Sequence, residues 1–142
     1  VYYEDEDLKP HVGSGLASGA DLRTAEDIRL DPGERLLVDT GVRLDIPRGF
    51  EGQVRPRSGY ALSHGITVLN SPGTVDADYT GDIKVMLYNA GDGIVIGKRG
   101  DRIAQLVIVP VLPASDLMMT IGDEVPKRTE RGAGGFGSTG VK

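Results

Sequence analysis

Residues 70–84, Asn-Ser-Pro-Gly-Thr-Val-Asp-Ala-Asp-Tyr-Thr-Gly-Asp-Ile-Lys, gather an amide, two neighbouring carboxylates and a phenol in one short stretch. A carboxylate such as Asp76 can orient and deprotonate a water molecule. The Asn70 amide and the bare backbone N–H groups around Gly73 can read the edge of a polar planar ring, and Tyr79 can pack against an attached sugar. Pro72 fixes φ, while Gly73 permits either a positive φ or close approach of a ligand to the backbone. Solvated aspartates on an ordinary β-turn would produce the same residue types. Beyond the turn, Ile83, Val85 and Leu87 alternate with Lys84, Met86 and Tyr88, the period of a half-buried strand. The stretch therefore reads as a tight hairpin with its polar groups at the bend.

The second chemically loaded segment runs from Arg131 to Gly140, Arg-Gly-Ala-Gly-Gly-Phe-Gly-Ser-Thr-Gly. Its backbone N–H groups, two hydroxyls and a guanidinium suit a phosphate chain, and Phe136 can stack on a base. A Gly-rich tail with no function has a similar composition, but it needs neither the phenylalanine nor the arginine. The segment lacks a Gly-Lys-Ser/Thr ending, so it is not a P-loop. It reads as a mobile arm that orders over a bound ligand.

The elements that must hold these groups are short. Asp31-Pro32-Gly33 and Pro47-Arg48-Gly49 punctuate the chain. Strand patterns follow over 36–46 (interrupted at Gly41), 50–55, 66–69, 83–89, 94–96 and 103–111, the last nearly all apolar. Gly59–His64 has room for about one helical turn, and residues 1–20 read as irregular. There is no internal repeat. Many short strands between turns predict an all-β sandwich or barrel. With 142 residues one domain is expected, and 21 Gly with 8 Pro favour turns over long helices.

Composition also excludes. The formal net charge is −5, and the basic residues Arg55, Arg57, Lys98, Arg99 and Arg102 are dispersed, which disfavours nucleic acid as a partner. An acidic protein that takes a polyanionic ligand needs a few local arginines or a divalent cation. There is no cysteine, so disulfides and thiolate metal sites are absent. His11 and His64 stand far apart, which argues against a transition-metal cluster and against a Ser-His-Asp set. No apolar run is long enough to span a membrane as a helix. The acidic opening, Val1 to Asp7, lacks the apolar stretch of a signal peptide, and a cytoplasmic location is expected.

In chain order, five segments resemble the trimeric dUTP pyrophosphatase (dUTPase) family: Ser18-Gly19-Ala20-Asp21-Leu22, Pro56-Arg57-Ser58-Gly59, Asn70 to Lys84, Gly100-Asp101-Arg102-Ile103-Ala104-Gln105-Leu106, and Arg131 to Gly140. The match departs at Ser18, where the family usually has Ala, and over residues 1–17, which do not clearly match the usual opening strand. The resemblance implies a jelly-roll-like β-barrel over residues 1–130, a homotrimer, and a C-terminal arm over 131–142 exchanged between subunits that share each active site. It implies hydrolysis of dUTP to dUMP and pyrophosphate, which keeps uracil out of DNA and supplies dUMP for dTMP synthesis.

By the same resemblance, Asp76 is the catalytic base. Asn70, Gly73, Thr74 and Val75 read the uracil edge, Tyr79 lies against the deoxyribose, Lys84 stands near the substrate, and Phe136 stacks on the base. Arg57, Ser58, Gly59 and Gln105 hold the phosphates together with Arg131, Gly137, Ser138 and Thr139. Mg²⁺ is carried mainly by the triphosphate, with Asp21 reaching its hydration shell and no direct protein ligand. Asp101 and Arg102 are expected to pair structurally. The nearest enzyme alternative, a dCTP deaminase of the same fold type, needs an acid/base Glu at the base pocket, and the nearest preceding one is Glu51. A non-catalytic nucleotide sensor is the alternative from another class, and a regulatory protein partner stays open.

Overall fold

The structure is a computed structural model that describes residues 1–117 and 119. In chain order the strands are β1 (Tyr2–Tyr3), β2 (His11–Val12), β3 (Ala20–Arg23), β4 (Ile28–Leu30), β5 (Arg35–Asp39), β6 (Val42–Arg43), β7 (Phe50–Arg55), β8 (Ile66–Val68), β9 (Gly73–Val75), β10 (Lys84–Asn89), β11 (Val95–Gly97) and β12 (Arg102–Pro110). One helix, α1 (Ser58–His64), joins β7 to β8, and 3-10 turns occupy Glu6–Leu8 and Ala114–Asp116.

Alternation explains the longer strands. Gly52 and Val54 of β7 are buried between half-exposed neighbours, as are Val85, Leu87 and Asn89 of β10. All pairings are antiparallel: β2-β3-β12-β7-β9 form one sheet, β5-β10-β8 a second, and β4-β11 and β1-β6 two ribbons. They enclose one core to which Leu22, Leu30, Val38, Val54, Leu87 and Ile103 all belong. Complete burial of each leucine stabilises the fold by about 1.5–3 kcal/mol. The result is the expected all-β, jelly-roll-like barrel.

Three buried polar side chains tie the connections down. Asn89 donates to the carbonyls of Leu30 (3.0 Å) and Gly93 (2.8 Å) and accepts from the Gly91 amide at 2.9 Å. Thr24 Oγ1 donates to the Glu26 carbonyl at 2.7 Å, and Thr40 Oγ1 to the Ile83 carbonyl at 2.7 Å. None is left unsatisfied, which low-dielectric burial demands.

Several expectations need correction. Residues 70–84 are not a tight hairpin. β8 and β10 do pair, Leu87 opposite Val68, but the chain between them crosses to the five-stranded sheet and adds β9 to the edge of β7. Gly73 and Val75 are buried and Thr74 is exposed, a strand alternation hidden inside turn residues. The 36–46 pattern is two strands with different partners, split at Gly41, whose φ is +63°. The opening is more ordered than expected: it contains β1, a 3-10 turn and β2, anchored by the fully buried Leu8. β3 and β4 are too short to announce themselves by period.

Gly65 closes α1 in the left-handed conformation (φ +69°), and a Cβ there would lie 2.6 Å from the Gly91 amide nitrogen. Gly65→Ala is therefore expected to cost about 2 kcal/mol or more, read as a lower denaturant midpoint with unchanged slope.

Candidate active site

The Asn70–Lys84 stretch builds a cavity of about 230 Å³ lined by Thr74, Val75, Asp76, Tyr79, Ile83 and Lys84. Two different sheets supply its walls, β9 on one side and the start of β10 on the other. Val75 and Ile83, which belong to the core, form its apolar floor. Asp76 leaves β9 and begins a turn closed by the Tyr79 amide donating to the Asp76 carbonyl at 3.1 Å. The carboxylate of Asp76 is exposed at the rim, as a group that must reach water requires. Its neighbour Asp78 lines a separate hollow with Arg48, Phe50 and Ser115, of which Asp76 also forms a wall.

Gly73 is explained by approach and not by a positive φ: a Cβ there would lie 3.1 Å from the Asn70 amide nitrogen. The amide thus packs directly on the glycine backbone at the head of β9. Lys84 sits opposite Asp39 on β5, with its ammonium 3.8 Å from that carboxylate; it lines the cavity while keeping a structural partner.

Of the groups expected to take phosphate, Ser58 and Gln105 line one hollow and Arg57 another. Asp21, Gln105 and Arg55 are aligned partners across β3, β12 and β7. Gln105 Nε2 donates to the Pro56 carbonyl at 2.9 Å, which fixes the turn into α1. A hollow of about 490 Å³ beside it is lined by Gln53, Arg55, Pro56, Ser58, Ser71, Pro72 and Gln105. Ser58 and Gly59 are exposed in the first turn of α1, where helical amide groups have no intrahelical partner.

The arginines are less dispersed than the sequence implies. Arg57 Nε and Arg102 Nη1 each lie 3.1 Å from Asp21 Oδ2, and Arg57 Nη1 donates to the Arg102 carbonyl at 2.9 Å. Asp101 and Arg102 are structural partners, but not of one another. Asp101 Oδ2 accepts from the Lys98 amide at 2.8 Å. Positions 21, 57 and 102 are far apart in the sequence; β3 and β7, both paired with β12, bring them together. Burial raises the Tyr60 phenol above its usual value, and the nearby Asp101 charge adds to the rise, so Tyr60 stays neutral beside Arg57.

Among the described residues, both guanidinium groups approach the same oxygen of Asp21, Oδ2. No group of three or more His, Asp or Glu placed for a metal occurs among those residues. No described helix is long and apolar enough to cross a membrane. The arm residues Arg131, Phe136, Gly137, Ser138 and Thr139 lie outside the described residues.

Among the described residues, Asp76, Tyr79 and Lys84 line one hollow, Ser58 and Gln105 a second that Ser71 and Pro72 also wall, and Arg57 a third.

Comparison with known proteins points to one family. The dUTPase family model matches residues 8–140. A deoxyuridine 5'-triphosphate nucleotidohydrolase of Rhizobium etli is 57% identical over 136 residues, spanning 93% of this chain and 85% of that protein. One from Hydrogenobaculum is 51% identical over 140 residues, 98% of this chain and 94% of that protein. Among solved structures, Staphylococcus bacteriophage 80alpha dUTPase with dUPNHPP superposes with a TM-score of 0.88 at 26% identity, covering 99% of this chain and 96% of that one. The Streptococcus mutans dUTPase gives 0.72 at 33% identity, covering 78% and 91%. The family model matches nearly the whole sequence and relatives are more than half identical: the chain belongs to the dUTPase family.

Proposed function

We propose that this protein hydrolyses dUTP to dUMP and pyrophosphate. The observation that carries this reading is the cavity in which an exposed carboxylate, Asp76, and an aromatic face, Tyr79, flank an apolar floor between two sheets. The nucleotidohydrolase relatives support the same substrate.

The chemistry follows from what each group can do. Uracil presents acceptor, donor and acceptor along one edge. Backbone and amide groups near Asn70 and Gly73 match that pattern, and cytosine would leave some of them unpaired. Tyr79 packs against the deoxyribose. Asp76 holds a water and removes its proton as the oxygen attacks the α-phosphorus, and pyrophosphate leaves in line. Arg57, Ser58, Gly59 and Gln105 hold the phosphates, with Asp21 keeping the Arg57 guanidinium in place.

Mg²⁺ bound through the triphosphate would neutralise its charge, and Asp21 is the carboxylate that fits its hydration shell. A Mg(II) ion is described in the phage phi11 enzyme, whose likeness to this chain shows the fold alone. The reading is a homotrimer whose subunits share each active site. Residues 131–142 of the chain complete the site as an arm after a barrel domain of 1–130. The setting is the cytoplasmic nucleotide pool, where the reaction removes dUTP before it enters DNA and supplies dUMP for dTMP synthesis.

Pyrophosphate release from dUTP, dCTP, dTTP and UTP, each with and without Mg²⁺, tests the reading. Release from dUTP alone, accelerated by Mg²⁺, is expected. dUTP binding without release from any of them would favour a nucleotide sensor, and ammonia from dCTP would favour a deaminase.

A further inference from the structure

Tyr79 is held from three directions. Its amide donates to the Asp76 carbonyl at 3.1 Å, and its hydroxyl donates to the Asp82 carbonyl at 3.0 Å. The ring lies so close over Gly81 that a Cβ there would stand 2.6 Å from the phenol oxygen. Its free side is still 46% exposed. Where the ring stands thus depends on where residues 81 and 82 are put.

The turn between β5 and β6 puts them there. The Val42 carbonyl accepts from the Ile83 amide at 2.8 Å, and Thr40 Oγ1 donates to the Ile83 carbonyl at 2.7 Å. Arg43 Nε donates to Asp82 Oδ1 at 2.6 Å. The first two contacts seat the start of β10. The third engages Asp82 itself, the residue whose carbonyl receives the tyrosine hydroxyl. Arg43 lies outside all five segments that carry the family resemblance, and it does not line the cavity.

We infer that Arg43 and Asp82 are positioning residues for sugar selection: their ion pair fixes the Asp82 peptide, which fixes the Tyr79 ring where a ribose 2′-hydroxyl would collide with it. The inference rests on Tyr79 facing the deoxyribose. An added hydroxyl is hard to reject by hydrogen bonding alone, so discrimination falls to the placement of the ring. The pair is too exposed, at 56% and 34%, to contribute much to stability. Its effect is geometric.

The test compares kcat/KM for dUTP and UTP in Arg43→Met, Arg43→Lys, Asp82→Asn and Tyr79→Ala. Arg43→Met should lower the dUTP-to-UTP ratio roughly tenfold through improved use of UTP. Its kcat on dUTP should stay within about twofold and its melting temperature should hold. Arg43→Lys should recover part of the ratio. An unchanged ratio in Arg43→Met and Asp82→Asn, with selectivity lost in Tyr79→Ala, overturns the inference and leaves the Tyr79 reading standing. An unchanged ratio in Tyr79→Ala removes that reading and the inference with it. Equal losses on both substrates would show a merely structural pair. If Arg43→Met does not fold, Asp82→Asn decides alone.

Discussion

Asp76→Asn is expected to lower dUTP turnover by roughly 10²- to 10⁴-fold, the range supplied by a positioned general base. Nucleotide affinity and melting temperature should stay close to those of the parent. The expectation comes from where Asp76 sits. Its side chain is exposed at the rim of the base cavity, and its backbone carbonyl, not its carboxylate, closes the turn to Tyr79. An amide of the same shape keeps the turn but cannot take a proton. Single-turnover kinetics beside equilibrium binding of a non-hydrolysable analogue separate the two effects. If binding or assembly fails instead, Asp76 is a structural residue and the base must be sought elsewhere.

Deletion of residues 131–142 is expected to reduce kcat/KM by about 10²-fold or more, the scale of losing a charged donor that meets developing phosphate charge. The barrel should melt at nearly the same temperature. Among the described residues, every buried apolar residue of the core lies between Leu8 and Val107, so the deletion leaves all of that packing in the chain. Normal hydrolysis by the truncated protein would end the account of the arm. Cooperative unfolding at a much lower temperature would show that the segment belongs to the barrel domain instead.

Part of the candidate site was legible because its residues are close in sequence. Asp76, Tyr79 and Lys84, singled out as candidates, line one cavity, since a few consecutive residues build both the turn and its polar groups. The strands β7 and β10 were readable for the same reason: their alternation is long enough to show a period of two. β9 was not, because a three-residue strand of Gly, Thr and Val among Pro, Asp and Gly looks like a turn until its partner β7 is known. The Asp21–Arg57–Arg102 cluster and the Arg43–Asp82 brace were also hidden. Their members are distant in sequence, and only the folded chain brings them together. Leu8 illustrates the same limit at the chain's opening, where one buried side chain orders residues that carry no periodic signal.

The floor of the base cavity has a consequence for how such a protein can change. Val75 and Ile83 touch the cavity and the central core at once. The spacing between the cavity walls is therefore gauged by packing of the whole barrel, which is dense and yields little. A flexible loop could be retuned for a different ring without disturbing anything else. Here the same two side chains answer to stability and to ring fit, so a substitution deep in the barrel can reach the substrate, and a change in base preference begins as a change in the core.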